Sequence, residues 1–285
     1  MSKINSLTSC MMELVINNFE DLHKELPAEI ERVKIDIPNL GSKDIVNLVL
    51  KYESFGEVWV KTKKFPHFLK DGYLVFGNHR KIGYPLKRKL DLFIGVLGLI
   101  CSLPVLLASS MLIKLSSKGP VIFCQSRVNA LGKRFNFYKF RTMKTTEETE
   151  IHYNYIKKSI KEQNCNQKVY KLTNDYRVTP IGKWLRRLSI DELPQLINVL
   201  KGEMALVGPR PPIPYEVELY KDWHKARLRA KPGITGLWQA TGRSLIPFDE
   251  MVVLDLYYVA NESLWLDLKI LFHTIPMTLS LKGAY

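Results

Sequence analysis

The sequence predicts an α+β, predominantly helical protein attached to a membrane. Three observations carry that prediction. An uncharged run of 22 residues, Leu92 to Ile113, is bounded by Lys87-Arg-Lys89 on one side and by Lys114 and Lys118 on the other. Apolar residues at helical spacing recur along the chain, interrupted by a few short alternating stretches. The basic excess begins where the apolar run begins: residues 1–86 carry 12 Lys+Arg against 11 Asp+Glu, and residues 87–285 carry 30 against 17. A chain of 285 residues with 46% hydrophobic content can build one large core or two smaller ones.

Residues 1–86 read as a small soluble module of unassigned role. Leu7, Met11, Leu14, Val15, Phe19 and Leu22 predict a helix across 7–25, and Ser42 suits the cap of a second helix carrying Ile45, Leu48 and Leu50. Residues 57–62 alternate like a strand, and residues 72–76 suit a partner strand. Trp59 and His67 read as packing residues, and no catalytic constellation is visible here.

About 20 apolar residues suffice to cross a bilayer as a helix. Pro104, close to Ser102, sits at the centre of the run and permits a bend. Basic residues at both ends depart from the one-sided pattern of a single span. Two readings stay open on these features: a kinked transmembrane helix, and a helix that breaks at Pro104 and returns to the same face. Asp91 follows Arg88 at the spacing of a helical ion pair.

Residues 119–127 predict a turn and a strand that pairs with a second strand over 135–143, where Lys139 and Arg141 share a face. That face is either solvated or turned towards phosphate. Residues 145–175 are polar, with a helical pattern only between Glu147 and Lys161. Trp184-Leu-Arg-Arg-Leu188 is a basic helical turn leading into Asp191 and Glu192, so Arg186 and Arg187 lie near that acid pair.

The acid pair opens a short apolar helix ending at Gly202. Ser189 and Glu192 have the spacing of a capping box. Pro194 favours a start nearer Asp191, where its missing N–H costs little. Leu193, Leu196, Ile197 and Leu200 define the expected buried face. Arg210 follows between prolines. Acidic first turns are ordinary capping when they stand alone. A helix start, two carboxylates and a nearby fixed guanidinium point instead to phosphate chemistry.

Beyond Arg210, residues 214–230 read as a basic amphipathic helix, 231–236 as a turn, and 237–240 as strand-like. Arg243 lies in a tight turn. Tyr257, Tyr258, Trp265, Phe272 and neighbouring apolar residues close the chain, a composition suited to a bilayer interface or to the core.

Composition narrows the partners. A net charge of +14 suits nucleic acid, anionic headgroups or phosphorylated substrates. Cys10, Cys101, Cys124 and Cys165 are scattered, which fits a reducing compartment and argues against a cysteine-based metal site. No cleavable signal peptide is visible at the N-terminus. A basic nucleic-acid-binding protein with an apolar anchor is the competing class, but no base-reading module is recognisable. A membrane-anchored binding or scaffold protein without activity is another, and the intact Asp191-Glu192 pair speaks against it.

Taken in order, several motifs resemble the bacterial sugar transferase family, the monotopic phosphoglycosyl transferases. They are the Pro-broken apolar segment after a basic start, Tyr138-Lys-Phe-Arg-Thr-Met143, Asp191-Glu-Leu-Pro-Gln-Leu196, Asn198-Val-Leu-Lys-Gly202, Val207-Gly-Pro-Arg-Pro211, Pro232-Gly-Ile-Thr-Gly-Leu-Trp-Gln239 and Thr241-Gly-Arg243. Each is weak alone; the ordered set is specific. Departures are Leu103 where the family often has serine before the membrane proline, Asn129 where glycine is usual, and Ala205 where serine is usual. Ser102 can supply the serine back-bond, and Asn129 tolerates positive φ.

The resemblance implies a monotopic membrane protein: residues 87–118 form a re-entrant membrane helix broken near Ser102 and Pro104, and residues 119–285 a cytosolic catalytic domain with interfacial helices at the inner membrane. It implies transfer of a sugar-1-phosphate from a UDP-sugar to polyprenyl phosphate, initiating glycan synthesis. Asp191 is then the nucleophile and Glu192 the ligand of Mg²⁺. Arg186, Arg210 and Arg243 are the leading phosphate-binding candidates, followed by Lys139 and Arg141. The implied partners are the two substrates and inner-leaflet lipids, with a homodimer left open and nucleic acid excluded. The identity of the sugar is not legible.

Overall fold

The computed structural model describes residues 13–16, 32–36, 45, 57–61, 73–76, 86–144, 177–241 and 247–279. The chain divides into two compact units, Met1–Arg80 and Lys81–Tyr285.

The first unit holds a mixed sheet of β1 (Glu13–Ile16), β2 (Arg32–Asp36), β3 (Glu57–Lys61) and β4 (Tyr73–Phe76), in that order. The expected pairing of β3 with β4 is present and antiparallel, with Val60 opposite Leu74. The helix expected across 7–25 is corrected at Glu13–Ile16, which is a strand parallel to β2. Leu14-Val-Ile16 is a short continuous apolar run, and periodicity alone does not separate strand from helix over so few residues. Parallel pairing on both sides of β2 buries Val33 and Ile35 completely. Ile45 is helical and buried. The rest of the two expected helices, His67 and the side chain of Trp59 lie outside the described residues.

The second unit is organised around α1 (Lys87–Ser116), a 30-residue helix about 45 Å long at the usual rise per residue. The break expected near Ser102 and Pro104 is corrected: the helix continues without interruption through Pro104. The Ser102 hydroxyl donates to the Leu99 carbonyl at 3.2 Å, so the displaced serine does supply a back-bond. Only 11% of its most apolar window is buried. A helix apolar on all sides and so little covered has a hydrocarbon solvent, not a protein core, as its natural surroundings. Phe93, Leu97, Ile100, Leu107, Met111 and Leu115 are all exposed.

One stripe of α1 does pack on protein: Lys87, Asp91, Gly95, Ser109 and Ile113. The expected Arg88–Asp91 pair is replaced by two longer-range contacts. Arg88 donates to the Val199 and Leu200 carbonyls at 2.6 and 2.9 Å, at the open end of the helix that follows the acid pair. Asp91 accepts from the Leu206 amide at 3.0 Å. Backbone groups with no helical partner thus outcompete a solvated neighbour.

After α1 comes the expected hairpin, β5 (Ile122–Val128) against β6 (Arg134–Phe140), with Arg127 opposite Phe135. The left-handed residue of its connection is Gly132 (φ 79°), and Asn129 is extended (φ −96°). Then follow α2 (Pro180–Arg187), α3 (Gln195–Lys201) and β7 (Ala205–Val207).

Two expectations beyond Arg210 are corrected. The single amphipathic helix over 214–230 is three short pieces: α4 (Pro214–Glu218), α5 (Asp222–Lys225) and a 3₁₀ turn (Ala226–Arg229). The chain is extended at Lys221 (ψ 162°), and Tyr220, His224 and Arg227 are buried while Lys221, Asp222 and Lys225 are exposed, so one side of the segment packs on the core. The turn expected at 231–236 contains β8 (Gly233–Thr235), parallel to β7, and the strand expected at 237–240 is helix α6 (Leu237–Thr241). The aromatic ending forms α7 (Phe248–Asn261) and α8 (Leu264–Leu279). Tyr257 and Tyr258 are buried, while Trp265, Phe272 and Ile275 are exposed. Residues 147–161 lie outside the described residues.

Candidate active site

The acid pair sits in a 3₁₀ turn, Ile190–Glu192, between α2 and α3. Neither expected helix start is observed. Ser189 is left-handed (φ 56°), its side chain makes no capping bond, and α3 begins at Gln195 with Pro194 as its N-cap. Pro194 has no N–H to give to a helical ladder, so the preceding residues close only 3₁₀ bonds: Glu192 N–H to Ser189 O at 3.3 Å and Leu193 N–H to Ile190 O at 3.2 Å. Ser189 is the one non-glycine residue with positive φ among the described residues, a conformation that costs on the order of 1–3 kcal/mol and persists only where its surroundings impose it.

Those surroundings connect the turn to the membrane helix. Ile190 packs with Ile113 of α1, Phe140 of β6 and Leu185 of α2. On the other side of the turn, α3 lies against Gly95 and Gly98 of α1, where an added Cβ would come within 3.2 Å of Leu200 and 3.5 Å of Leu196. The expected buried face of α3 is rotated: Gln195, Leu196, Asn198 and Val199 are buried and Ile197 is exposed. Asn198 explains the rotation. Its side chain accepts from the Tyr138 amide at 3.1 Å and donates to the Asn136 carbonyl and the Glu203 carboxylate, each at 2.6 Å, tying α3 to β6.

Asp191 is buried, and Glu192 is half-buried with Oε1 3.3 Å from Arg210 Nη1. Arg210 is positioned by its loop. Gly208 N–H donates to Thr235 O at 2.9 Å and Gly233 N–H donates to Pro209 O at 3.0 Å. A Cβ on Gly208 would lie 2.2 Å from the Lys231 carbonyl, so no other residue fits that approach. Arg127 donates to Pro211 O at 2.9 Å, and Arg227 to Arg210 O at 3.4 Å.

Lys139 stands half-buried on β6 with its ammonium 5.3 Å from the Phe123 ring centre. Loss of solvent, followed by repulsion from Arg186, lowers its pKa to about 7; Asp191 opposes the shift, and Arg127 and Arg210 add to it. Lys139, Arg186, Arg127 and Arg210 therefore form a cationic group, with Asp191 also within electrostatic reach of Lys139. Arg186 Nε also donates to Thr142 Oγ1 at 2.8 Å. Such a group suits the several charges of a diphosphate.

The shift has a stability consequence. The folded chain binds fewer protons than the unfolded chain between pH 7 and the ordinary lysine value of 10.5, so Lys139 makes stability rise with pH across that window. Lys139→Met is expected to melt higher than the parent below pH 7, with the gap closing towards pH 10. Melting curves at several pH values check this, and a gap that widens with pH rejects it.

The remaining candidates separate. Arg141 leaves the site: strand alternation ends at Phe140, and the buried guanidinium donates to Ser117 O and Oγ at 2.7 and 3.0 Å, closing the far end of α1. Ser102 and Pro104 lie within α1. Arg243 is outside the described residues. Sequence reasoning missed Arg127 and Asn198. A buried-helix asparagine inside an apolar pattern was the available signal for the second; nothing local marked the first.

Among the described residues no three or more His, Cys, Asp or Glu side chains gather as a metal cage. Asp191 and Glu192 supply hard carboxylate oxygens at one turn. That donor set fits Mg²⁺, which usually takes one or two carboxylates and completes its shell from substrate phosphate and water.

A model of the bacterial sugar transferase family matches residues 82–281. The chain belongs to that family. Among similar proteins, galactosyl transferase CpsE of Streptococcus agalactiae serotype III (strain NEM316) is 38% identical over 273 residues, covering 95% of this chain and 55% of the relative. Exopolysaccharide production protein ExoY of Sinorhizobium fredii is 40% identical over 209 residues, 73% of this chain and 92% of the relative. Undecaprenyl-phosphate galactose phosphotransferase of Salmonella typhimurium is 42% identical over 206 residues, 70% of this chain and 42% of the relative. The chain thus spans about half the length of the streptococcal relative. As a bacterial sugar transferase it carries its acid turn, its Pro-Arg-Pro loop and all of α1 inside the matched segment. The streptococcal similarity is too long to be confined to that segment, so it reaches into the first unit.

Proposed function

We propose that this bacterial sugar transferase moves a sugar-1-phosphate from a UDP-sugar to a polyprenyl phosphate, releasing UMP, in the first membrane-bound step of polysaccharide assembly. One observation carries the proposal: the Asp191-Glu192 turn is wedged between two helices that both pack on the membrane-seeking α1, and Asp191 acts on Lys139 together with Arg186, Arg127 and Arg210. Relatives named undecaprenyl-phosphate galactose phosphotransferase and undecaprenyl-phosphate glucose phosphotransferase support the acceptor and the reaction class.

In this reaction a carboxylate oxygen of Asp191 forms a bond to the sugar-bearing phosphorus, and the phosphoanhydride bond to UMP breaks. An oxygen of the polyprenyl phosphate then attacks the same phosphorus and releases Asp191 as a free carboxylate. Glu192 would hold Mg²⁺, which when bound offsets charge on the phosphoryl oxygens. Arg210 and Arg186 hold the diphosphate in line and stabilise the spreading negative charge. Lys139, with its pKa near neutrality, is poised to become charged as the anionic substrate arrives.

The acceptor's tail stays in the bilayer, so the site has to meet its phosphate at the surface. Both ends of α1 are tied to the same unit, through Lys87, Arg88 and Asp91 at the start and through Ile113 and Ser117 at the end. That arrangement supports both ends of α1 staying on one face of the membrane, the cytosolic one. Cysteine labelling at the N-terminus in sealed vesicles should then report the cytosolic side, and an external label would reject re-entry. The reaction itself is tested by offering a panel of UDP-sugars to the protein in nanodiscs containing undecaprenyl phosphate. Acceptor-dependent UMP release from at least one of them is expected; none from any of them rejects the proposal.

A further inference from the structure

We infer that Arg227 and Asp255 are positioning residues for Arg210: their buried ion pair holds the Arg210 carbonyl, and through it the direction of the Arg210 guanidinium. The inference rests on the proposed reaction, in which Arg210 meets the diphosphate, and adds to it what aims that side chain. The guanidinium is not aimed by contacts of its own. Among the described residues its one hydrogen bond is to Glu192, at 3.3 Å, and Glu192 is the residue assigned to Mg²⁺. A group that acts on a reacting phosphate has to be held by packing and hydrogen bonds from behind.

The loop backbone supplies that hold, and it does so from outside itself. Pro209, Pro211 and Pro212 have no N–H, so the loop is poor in donors of its own. Its four successive carbonyls accept from other elements instead. Pro209 O accepts from the Gly233 amide at 3.0 Å, Arg210 O from Arg227 Nη2 at 3.4 Å, Pro211 O from Arg127 Nη1 at 2.9 Å and Pro212 O from the Val128 amide at 2.9 Å. Two of these donors are strand amides, of β8 and β5. Arg127 is steadied by the Gln125 side chain, which accepts from its Nε and Nη2 at 3.1 and 2.8 Å. The remaining bond is the longest, it falls on Arg210 itself, and it depends on where the Arg227 side chain is kept.

Asp255 keeps it there. This carboxylate lies within α7, is fully buried and pairs with Arg227 Nη2, while Arg227 Nη1 donates to Tyr220 Oη at 3.1 Å. Three partners are thus met by the two arms of one planar fork, a geometry that a lysine does not reproduce. Burial pushes the Asp255 carboxyl up to about 6, against the pull of Arg227, so the pair is ionised at neutral pH. A buried ion pair is weak evidence of stabilisation, because well-packed apolar residues often replace one without loss. Its place, one hydrogen bond behind the carbonyl of Arg210, is what a positioning role requires.

The test uses the full chain in nanodiscs and reads UMP release together with hydrogen exchange at the Gly208 and Ile213 amides. Arg227→Lys keeps a countercharge for Asp255 and loses the fork. It should lower kcat about ten- to hundredfold and leave the KM for the UDP-sugar within about threefold, because Lys139 and Arg186 still meet the diphosphate. Exchange at Gly208 and Ile213 should quicken. In an Arg210→Ala background Arg227→Lys should cost nothing further in kcat, since the residue it aims is gone. Arg227→Met with Asp255→Leu removes the pair as a unit. It should melt near the parent and show the same loss of kcat, which a merely stabilising pair would not give. An unchanged kcat in Arg227→Lys, an equal loss with Arg210 already absent, or normal kcat in the Met and Leu double variant would each overturn the inference. If the parent releases no UMP from any UDP-sugar, the transfer reaction falls and hydrogen exchange decides the rest: faster exchange in Arg227→Lys keeps the tether, and unchanged exchange removes it.

Discussion

Asp191→Asn is expected to lose UMP release by on the order of a thousandfold or more, the scale seen when a covalent nucleophile is removed. The substitution preserves volume in a buried turn and removes only the charge and the nucleophilic oxygen. Lys139 loses the acidic group that opposes its neighbouring arginines, so phosphate binding should survive or tighten while transfer stops. That split is the informative part. A variant with intact UDP-sugar binding and no release locates the loss in the chemical step; full activity would remove Asp191 from the mechanism. Acid quenching of the parent with labelled UDP-sugar and no acceptor should leave a phosphosugar on the peptide containing Asp191, and the variant should trap none. Glu192→Gln tests the other carboxylate: it should trap little intermediate at ordinary Mg²⁺ and recover part of it as Mg²⁺ is raised.

Lys87→Ala is expected to be the most destabilising single change in the second unit. The Lys87 ammonium is buried and donates to Asp267 at 2.5 Å, Tyr258 at 2.9 Å and the Val207 carbonyl at 3.1 Å, with Glu262 at 3.3 Å. Removing one partner of such a node leaves carboxylates buried without a countercharge, at a cost of about 3–5 kcal/mol. For a unit of this size that corresponds to a fall in melting temperature on the order of 10 °C. The node also joins the start of α1 to α8 and to β7, directly before the Arg210 loop, so transfer activity should fall with stability. Replacing the charges together, as Lys87→Met with Asp267→Asn and Glu262→Gln, should recover much of the melting temperature. A single variant that melts like the parent would show the node to be dispensable.

Much of this was visible in one dimension where the signal was local and long. Thirty residues of α1 needed only an apolar run, and Gly202 only its place after a helix, where it takes φ 82°. The hairpin of β5 and β6 was equally plain from alternation. Legibility failed where the signal was short. Glu13–Ile16, Gly233–Thr235 and Leu237–Thr241 each offered three to five residues, and their state was chosen by partners distant in sequence. It failed again where a charged side chain had two possible partners. Arg88, Asp91 and Arg141 each turned from a neighbour or a substrate towards an unpaired backbone group of a distant element.

The acid pair shows the same division within one motif. Its residue types, the proline after it and the guanidinium that follows are properties of the chain alone, and they pointed to phosphate chemistry; the roles of nucleophile and metal ligand came with the family resemblance. That the pair sits in a 3₁₀ turn instead of a capped helix, that Asp191 is buried and acts on Lys139 together with three arginines, and that the turn leans on the membrane helix through Ile190 were decided only on folding. The reason is physical. Bond-making chemistry is a property of side chains, which the sequence states outright, whereas desolvation, field and proximity to a bilayer depend on which distant atoms fill the surrounding space.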